Sequence, residues 1–249
     1  MKKLAQFIRS WCASATRQAV GLNRENILGA KIDADAIIRV SPGYIRFKLL
    51  GRTIRALRAD DTPPDDWDLD RRPIEETAKY ISVVQHFRDG RPWEDTPIFR
   101  RYAQRFSRGE EIRGCRSIDD LKEVYRADMN ALYQSLSERG FLFHEEHERK
   151  RRDLPHVYVG RDGEIIFGSD GNHRLAIARL LELREIPCRV LRRHADWDNL
   201  RQELAAVEVE YRNMNVKPVL AGHPDLQDIL PHDAAGRDAD SGSRACRTD

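Results

Sequence analysis

Apolar and polar positions change period several times along the chain, and each change marks an element. Near the start, Leu4, Phe7, Ile8, Trp11 and Ala15 fall on one face of a helix. Arg9 interrupts the apolar stretch too early for the hydrophobic region of a secretion signal. Residues 1–30 therefore read as an amphipathic helix that docks on the body or on a partner. Ala36–Leu50 is β-prone and broken at Ser41–Gly43, which places one strand before the break and another over Tyr44–Leu49. Asp60–Arg72, acidic and interrupted by proline, reads as an exposed loop. Helical spacing then takes over. Ala78, Ile81, Val84 and Phe87 space a helix within Ile74–Phe87. Asp95-Thr96-Pro97 opens another over Ile98–Phe106. Ser117-Ile118-Asp119-Asp120 caps a long third one through Ser137, which Gly140 ends.

Period two returns in Val157–Arg193. Val157–Val159 and Glu164–Phe167 are short β-prone runs joined by the turn Arg161-Asp162-Gly163. Ser169-Asp170-Gly171 ends the second run, with Ser169 or Asp170 as the expected helix cap. Leu175, Ile177, Ala178 and Leu181 give Leu175–Leu183 a wide apolar face, and Ile186–Leu191 returns as a strand. Asp196 begins a further helix towards Tyr211, and the small polar residues after Ala234 have the composition of a disordered tail. The expected fold is mixed α/β: a main domain over 31–215 carrying a helical insertion over about 72–140, then an extension over 216–249.

The candidate chemistry gathers in the turn Asp170-Gly171-Asn172-His173-Arg174. A helix start presents backbone N–H groups and the positive end of a dipole, which suits an anion, above all phosphate. Gly171 lets a ligand approach the backbone, and Arg174 offers a planar fork to phosphate oxygens. His173 titrates near neutral pH and reads as an acid–base or phosphate-donating group. A carboxylate beside a phosphate repels it, so Asp170 becomes favourable as a ligand of a bridging Mg²⁺ or as the group that orients His173 or Arg174. Plain helix capping is the competing reading of the same five residues.

The order of turn glycine, strand, Gly-x-x-Arg, apolar helix and strand resembles the ParB/sulfiredoxin superfamily. Partition proteins of the ParB type carry Gly-Glu-Arg-Arg at this turn, sulfiredoxins Gly-Cys-His-Arg, and free-serine kinases Asp-Gly-His-His-Arg. Asp170-Gly171-Asn172-His173-Arg174 is closest to the last. The resemblance implies a small sheet with packed helices and a phosphate-binding turn formed by Gly171, Asn172, His173 and Arg174. It also implies ATP or CTP as the nucleotide, with Mg²⁺ neutralising its phosphates. Asn172 stands where sulfiredoxins have their cysteine and where ParB has its glutamate, so sulfinate reduction is not expected. The implied activity is that of an ATP-dependent small-molecule kinase or a nucleoside triphosphatase; the family's catalytic acid lies outside this turn, and His173 and Asp170 are the candidate catalytic residues on their own chemistry. The alternative is a ParB-like module whose nucleotide regulates DNA or protein binding without catalysis.

Charge and cysteine usage narrow these readings. The 249 residues include 43 Lys+Arg and 41 Asp+Glu, a net charge of +2, which is not the footprint of a chain that coats nucleic acid. No DNA-reading helix-turn-helix with a basic face is evident after Val190, so DNA is not the favoured partner; a nucleotide or another phosphorylated small molecule is. Cys12, Cys115, Cys188 and Cys246 are scattered with no CxxC pair, which predicts reduced thiols and a cytoplasmic protein. No apolar run reaches the roughly 18–20 residues of a membrane span. His144-Glu145-Glu146-His147 lacks the spacing of known zinc motifs and reads as a solvated segment, as does Arg149–Arg152 beside its acidic neighbours. Trp67, Trp93, His194 and Trp197 could reach a ligand, but burial is the expected state of the tryptophans.

Overall fold

The computed structural model describes residues 36–59, 64–141, 154–206, 220 and 222–230. The amphipathic segment over 1–30, the segment His144–Arg152 and the polar tail lie outside the described residues. The chain divides into a unit made of Gly29–Asp198 with Met1, and a second made of Lys2–Leu28 and Asn199–Asp249. The first unit is mixed α/β, as the periodicities predict.

Its strands are β1 (Ile37–Val40), β2 (Phe47–Leu49), β3 (Arg71–Pro73), β4 (His156–Val159), β5 (Ile165–Phe167) and β6 (Ile186–Arg193). Its helices are α1 (Gly51–Ala59), α2 (Ala78–Phe87), α3 (Pro97–Phe106), α4 (Ile118–Arg139) and α5 (Asn172–Leu180), and α6 (Ala195–Ala206) begins in it. The six strands form one sheet in the order β1-β6-β4-β5-β2-β3. The pairs β6–β4 and β5–β2 are parallel and the other three antiparallel. The hairpin β4–β5 is central, and all of its strand residues are buried, as expected of strands covered on both faces.

The helical stretch between β3 and β4 has its own core. Val83, Trp93, Phe99, Tyr125 and Met129 pack there with Ala176 and Ile177, so α5 joins the helices as well as the sheet. Local signals set the ends of these helices. The Ser117 hydroxyl accepts from the Asp120 amide at 3.1 Å and caps α4, and Gly140 ends it. Thr96 precedes Pro97 at the start of α3 but makes no side-chain cap. The Ile98 amide donates instead to the Ser82 hydroxyl of α2, 2.9 Å away. That bond requires Ser82 to face inward, and Ser82 and Val83 are accordingly buried more deeply than the predicted apolar positions Ile81 and Val84.

Two regions depart from the pattern. Helix α1 was not predicted; it buries Thr53, Ile54 and Leu57 against Leu49, Trp67, Tyr158 and Ile166. Within the expected exposed loop, Trp67 and Asp68 are 3% and 2% exposed and Arg71–Pro73 forms an edge strand. The reason is a remote partner. The Asp68 carboxylate accepts from the Arg161 amide at 3.0 Å and from its guanidinium at 2.6 Å, which makes burial of an acidic residue tolerable.

In the second unit, the Arg201 guanidinium is buried, bonded to Asp228 at 2.7 Å and 3.6 Å from Asp225. Among the described residues, no helix is long and apolar enough to cross a membrane. Cys115 and Cys188 are buried free thiols.

Candidate functional site

The predicted turn is where β5 passes into α5. Gly171 is the N-cap residue, with φ 75° and no side-chain cap. Neither Ser169 nor Asp170 caps the helix, contrary to expectation. The reason is steric: a Cβ on Gly171 would lie 2.7 Å from Pro155 Cα and 2.8 Å from its nitrogen. Only glycine fits both this left-handed backbone and this contact, and the side chains before it turn elsewhere. The Ser169 hydroxyl accepts from Arg58 at 2.8 Å, and Asp170 Oδ2 lies 2.9 Å from His156 Nδ1 and 3.6 Å from Arg58. The start of α5 therefore has no side-chain cap to compete with an anion.

A cleft of about 470 Å³ opens over this turn. One wall is the turn itself, Ser169 to Arg174; the other comes from the helical stretch, with Lys79 of α2, Tyr102 of α3, Arg113, and Asp128, Met129 and Leu132 of α4. Lys48 of β2 reaches the same turn. Its Nζ donates to Asn172 Oδ1 at 2.6 Å and sits 4.8 Å from the centre of the Phe167 ring, while Asn172 Nδ2 donates to the Ser169 carbonyl.

Cations predominate among the described residues around this turn, and the ionisable groups register it. Burial, with the fields of Lys79 and Arg72, lowers Lys48 to about 8. Burial and the nearby Arg113 also lower Lys79. His173 is pushed down to about 3 by burial and then by Lys79, Arg113, Arg174 and Lys48 in turn. Four cations from four separate segments thus act on one imidazole, which stays neutral at physiological pH. Two carboxylates, Asp128 and Asp170, line the cleft with Lys79, Arg113 and Arg174.

His173 Nε2 lies 2.7 Å from the Tyr125 hydroxyl, with the rings edge to face at 5.5 Å. Tyr125 is also hydrogen-bonded to Tyr102, and burial holds both phenols above their usual range. A chain of polar groups thus runs from Tyr102 at the cleft to the first turn of α5. It positions an imidazole that burial and the surrounding cations already hold neutral near pH 7.

Asp170 was expected to orient its neighbours or bind Mg²⁺. Its contacts here are His156, Arg58 and Ser169. Among the described residues, no group of three or more His, Cys, Asp or Glu could hold a metal ion. Any Mg²⁺ at this turn would need most of its ligands from phosphate and water, with Asp170 supplying at most part of the set.

The other sequence candidates lie elsewhere. Trp67, Trp93 and Trp197 are 3%, 1% and 2% exposed and belong to the interior. His194 is buried as well, its Nε2 2.7 Å from the Asp65 carbonyl and its ring tilted on Trp67. A second depression, of about 600 Å³, lies beside α1, where Arg52 and Asp70 satisfy each other at 3.0 Å.

The sequence reading missed Lys48, Lys79, Tyr102, Arg113, Tyr125 and Asp128. Lys48 left a signal, a cation flanked by Phe47 and Leu49 in a β-prone run. Arg113-Gly114 left another, an X-Gly pair between apolar residues. Comparison with known proteins yields no match: no family model fits the chain, and no curated protein or solved structure is similar to it.

Proposed function

We propose that the protein binds a phosphorylated ligand, most simply a nucleoside triphosphate such as ATP or CTP, in the cleft over Gly171–Arg174. The observation that carries this reading is the convergence of Lys48, Lys79, Arg113 and Arg174 on the uncapped start of α5, with His173 held neutral among them. Partly buried cations disfavour one another even with Asp128 and Asp170 among them, and a polyanion is the ligand that relieves this. The resemblance of Asp170–Arg174 to the ParB/sulfiredoxin turn supports the same ligand class. In this reading Gly171 and Asn172 offer backbone and amide contacts, and Arg174 grips phosphate oxygens. Mg²⁺ arrives with the nucleotide, with Asp170 as its candidate protein ligand; when bound, it would neutralise phosphate charge.

Phosphotransferase or nucleoside triphosphatase activity is the catalytic form of the proposal, with His173 and Asp170 as the residues nearest the phosphate. One observation favours the regulatory alternative, in which nucleotide binding controls association with a protein or DNA. His173, tied to Tyr125 and lowered to about 3, is a poor proton acceptor at neutral pH in the ligand-free state.

The test is thermal shift and calorimetry with a nucleotide panel, with and without Mg²⁺. Arg174→Ala is expected to weaken the best ligand by about 1.5–3 kcal/mol, the value of hydrogen bonds to a charged partner, while the apo melting temperature holds. Unchanged affinity would reject the role of Arg174. A collapse of the apo melting temperature would favour plain helix packing. Turnover in wild type that is lost in His173→Ala would favour the enzyme; binding without turnover would favour the regulatory module.

A further inference from the structure

Arg113 occupies an unusual position. Ile112 and Cys115 exchange both backbone hydrogen bonds, at 3.0 and 2.9 Å, and Arg113 and Gly114 between them have φ of 53° and 77°. Two positive φ values inside a two-residue loop make a type I′ turn, whose first central position favours Asn, Asp or Gly. An arginine there bears backbone strain that a smaller residue would avoid. The flanking Ile112 and Cys115 are both buried, so the turn is pinned at both ends.

The strained residue projects into the cleft. Its guanidinium lies 5.2 Å from the centre of the Tyr125 ring, and Nη1 is 2.6 Å from Asp128 Oδ2. The Asp128 side chain is 53% exposed, so this ion pair is solvated and easily exchanged for a stronger acceptor. Despite Asp128, the charge of Arg113 still acts on Lys79 and His173. Arg174, by contrast, belongs to the first turn of α5. The two guanidinium groups are therefore carried by different walls of one cleft, whose 470 Å³ is within the usual range for a small-molecule site.

We propose that Arg113 is a specificity-determining second arm of the anion site, so that the cleft selects ligands carrying two or more linked phosphoryl groups over monophosphates. The inference rests on the phosphate reading of the α5 turn. The first phosphoryl group sits at the uncapped helix start with Arg174. The next one displaces Asp128 and takes a forked pair of hydrogen bonds from Arg113. Tyr125 stacks against the guanidinium and keeps it aimed during the exchange.

The experiment is calorimetric titration of the full chain with inorganic phosphate, pyrophosphate, tripolyphosphate and ATP. Wild type, Arg113→Ala, Arg113→Gly, Arg113→Lys and Arg174→Ala are compared. Wild type should prefer pyrophosphate to phosphate by roughly tenfold or more, the size of an added charged hydrogen-bond set. Arg113→Ala and Arg113→Gly should lose most of that ratio, Arg113→Lys should keep part of it, and Arg174→Ala should weaken every ligand. Glycine suits the left-handed position, so Arg113→Gly should hold or raise the apo melting temperature while selectivity falls. A purely structural arginine would lower the melting temperature and leave the ratio alone. Phosphate binding with an unchanged ratio in Arg113→Gly overturns this inference and leaves the phosphate site standing. Absence of binding by all four ligands overturns both.

Discussion

The first unit contains two clusters of buried charge, and they are put together in opposite ways. At the edge of the β4–β5 hairpin, Asp68 receives the amide and guanidinium of Arg161, with His194 4.0 Å away. Burial by itself would raise the Asp68 carboxyl, but the bonds from Arg161 outweigh it and hold the group below its usual range. At the start of α5, Lys48 is lowered by burial and by Lys79 and Arg72, Lys79 is lowered by burial and by Arg113, and His173 is forced neutral. The first cluster is complete within the chain and reads as a brace that ties the Trp67 segment to the hairpin. In the second, cations act on one another and on His173 among the described residues, and the proposed anion site rests on that. Burial of charge does not by itself identify function; the balance of the partners does.

The largest effect is expected at Asp68. Asp68→Ala leaves Arg161 with the Asp65 carbonyl but no carboxylate acceptor and is expected to cost about 2–4 kcal/mol of stability, slightly discounted from a fully buried pair because Arg161 reaches solvent. Urea denaturation measures it, and the affinity of the α5 cleft for pyrophosphate should not move. A loss below about 0.5 kcal/mol would make the Asp68 brace no more than a surface ion pair.

The next effect lies in the pH dependence. His173 titrates at about 3 in the folded protein and near its ordinary 6.5 when unfolded. Between these values the unfolded chain holds the proton and the folded chain does not. Stability is therefore present above pH 6.5 and falls as the pH drops towards 3, by up to about 1.4 kcal/mol per pH unit. Denaturation series from pH 7 to 4.5, above the range where Asp68 titrates, should show this slope in wild type and lose it in His173→Asn. Saturating pyrophosphate should flatten it by offsetting the surrounding cations.

The smallest effect has the opposite sign. Lys48 at about 8 bears a cost of staying charged at pH 7, so Lys48→Met should stabilise the ligand-free protein by about 1–2 kcal/mol while weakening pyrophosphate binding. In wild type, the same shift predicts stability rising with pH between about 8 and 10.5, because the folded state sheds the Lys48 proton first. A less stable Lys48→Met would show that the link from Lys48 to Asn172 serves the fold.

Much of the fold was legible because its determinants are local. The Ser117 cap and the Gly140 stop of α4, Pro97 at the start of α3, and the strand–turn–helix–strand run from His156 to Arg193 each depend on a few neighbouring residues. The turn Asp170–Arg174 was legible as a helix start and an anion candidate for the same reason. Tertiary structure decided the rest. Pro155 pressing on Gly171, not a side-chain cap, sets the entry to α5. Arg161 buries Asp68 across 93 positions, and Lys48 meets Asn172 across 124. Lys79 and Arg113 join them only because the helical stretch folds back over the turn. Sequence periodicity records how an element presents its own faces. It carries no record of which distant charge will share a cleft, because that is fixed by the packing of whole elements.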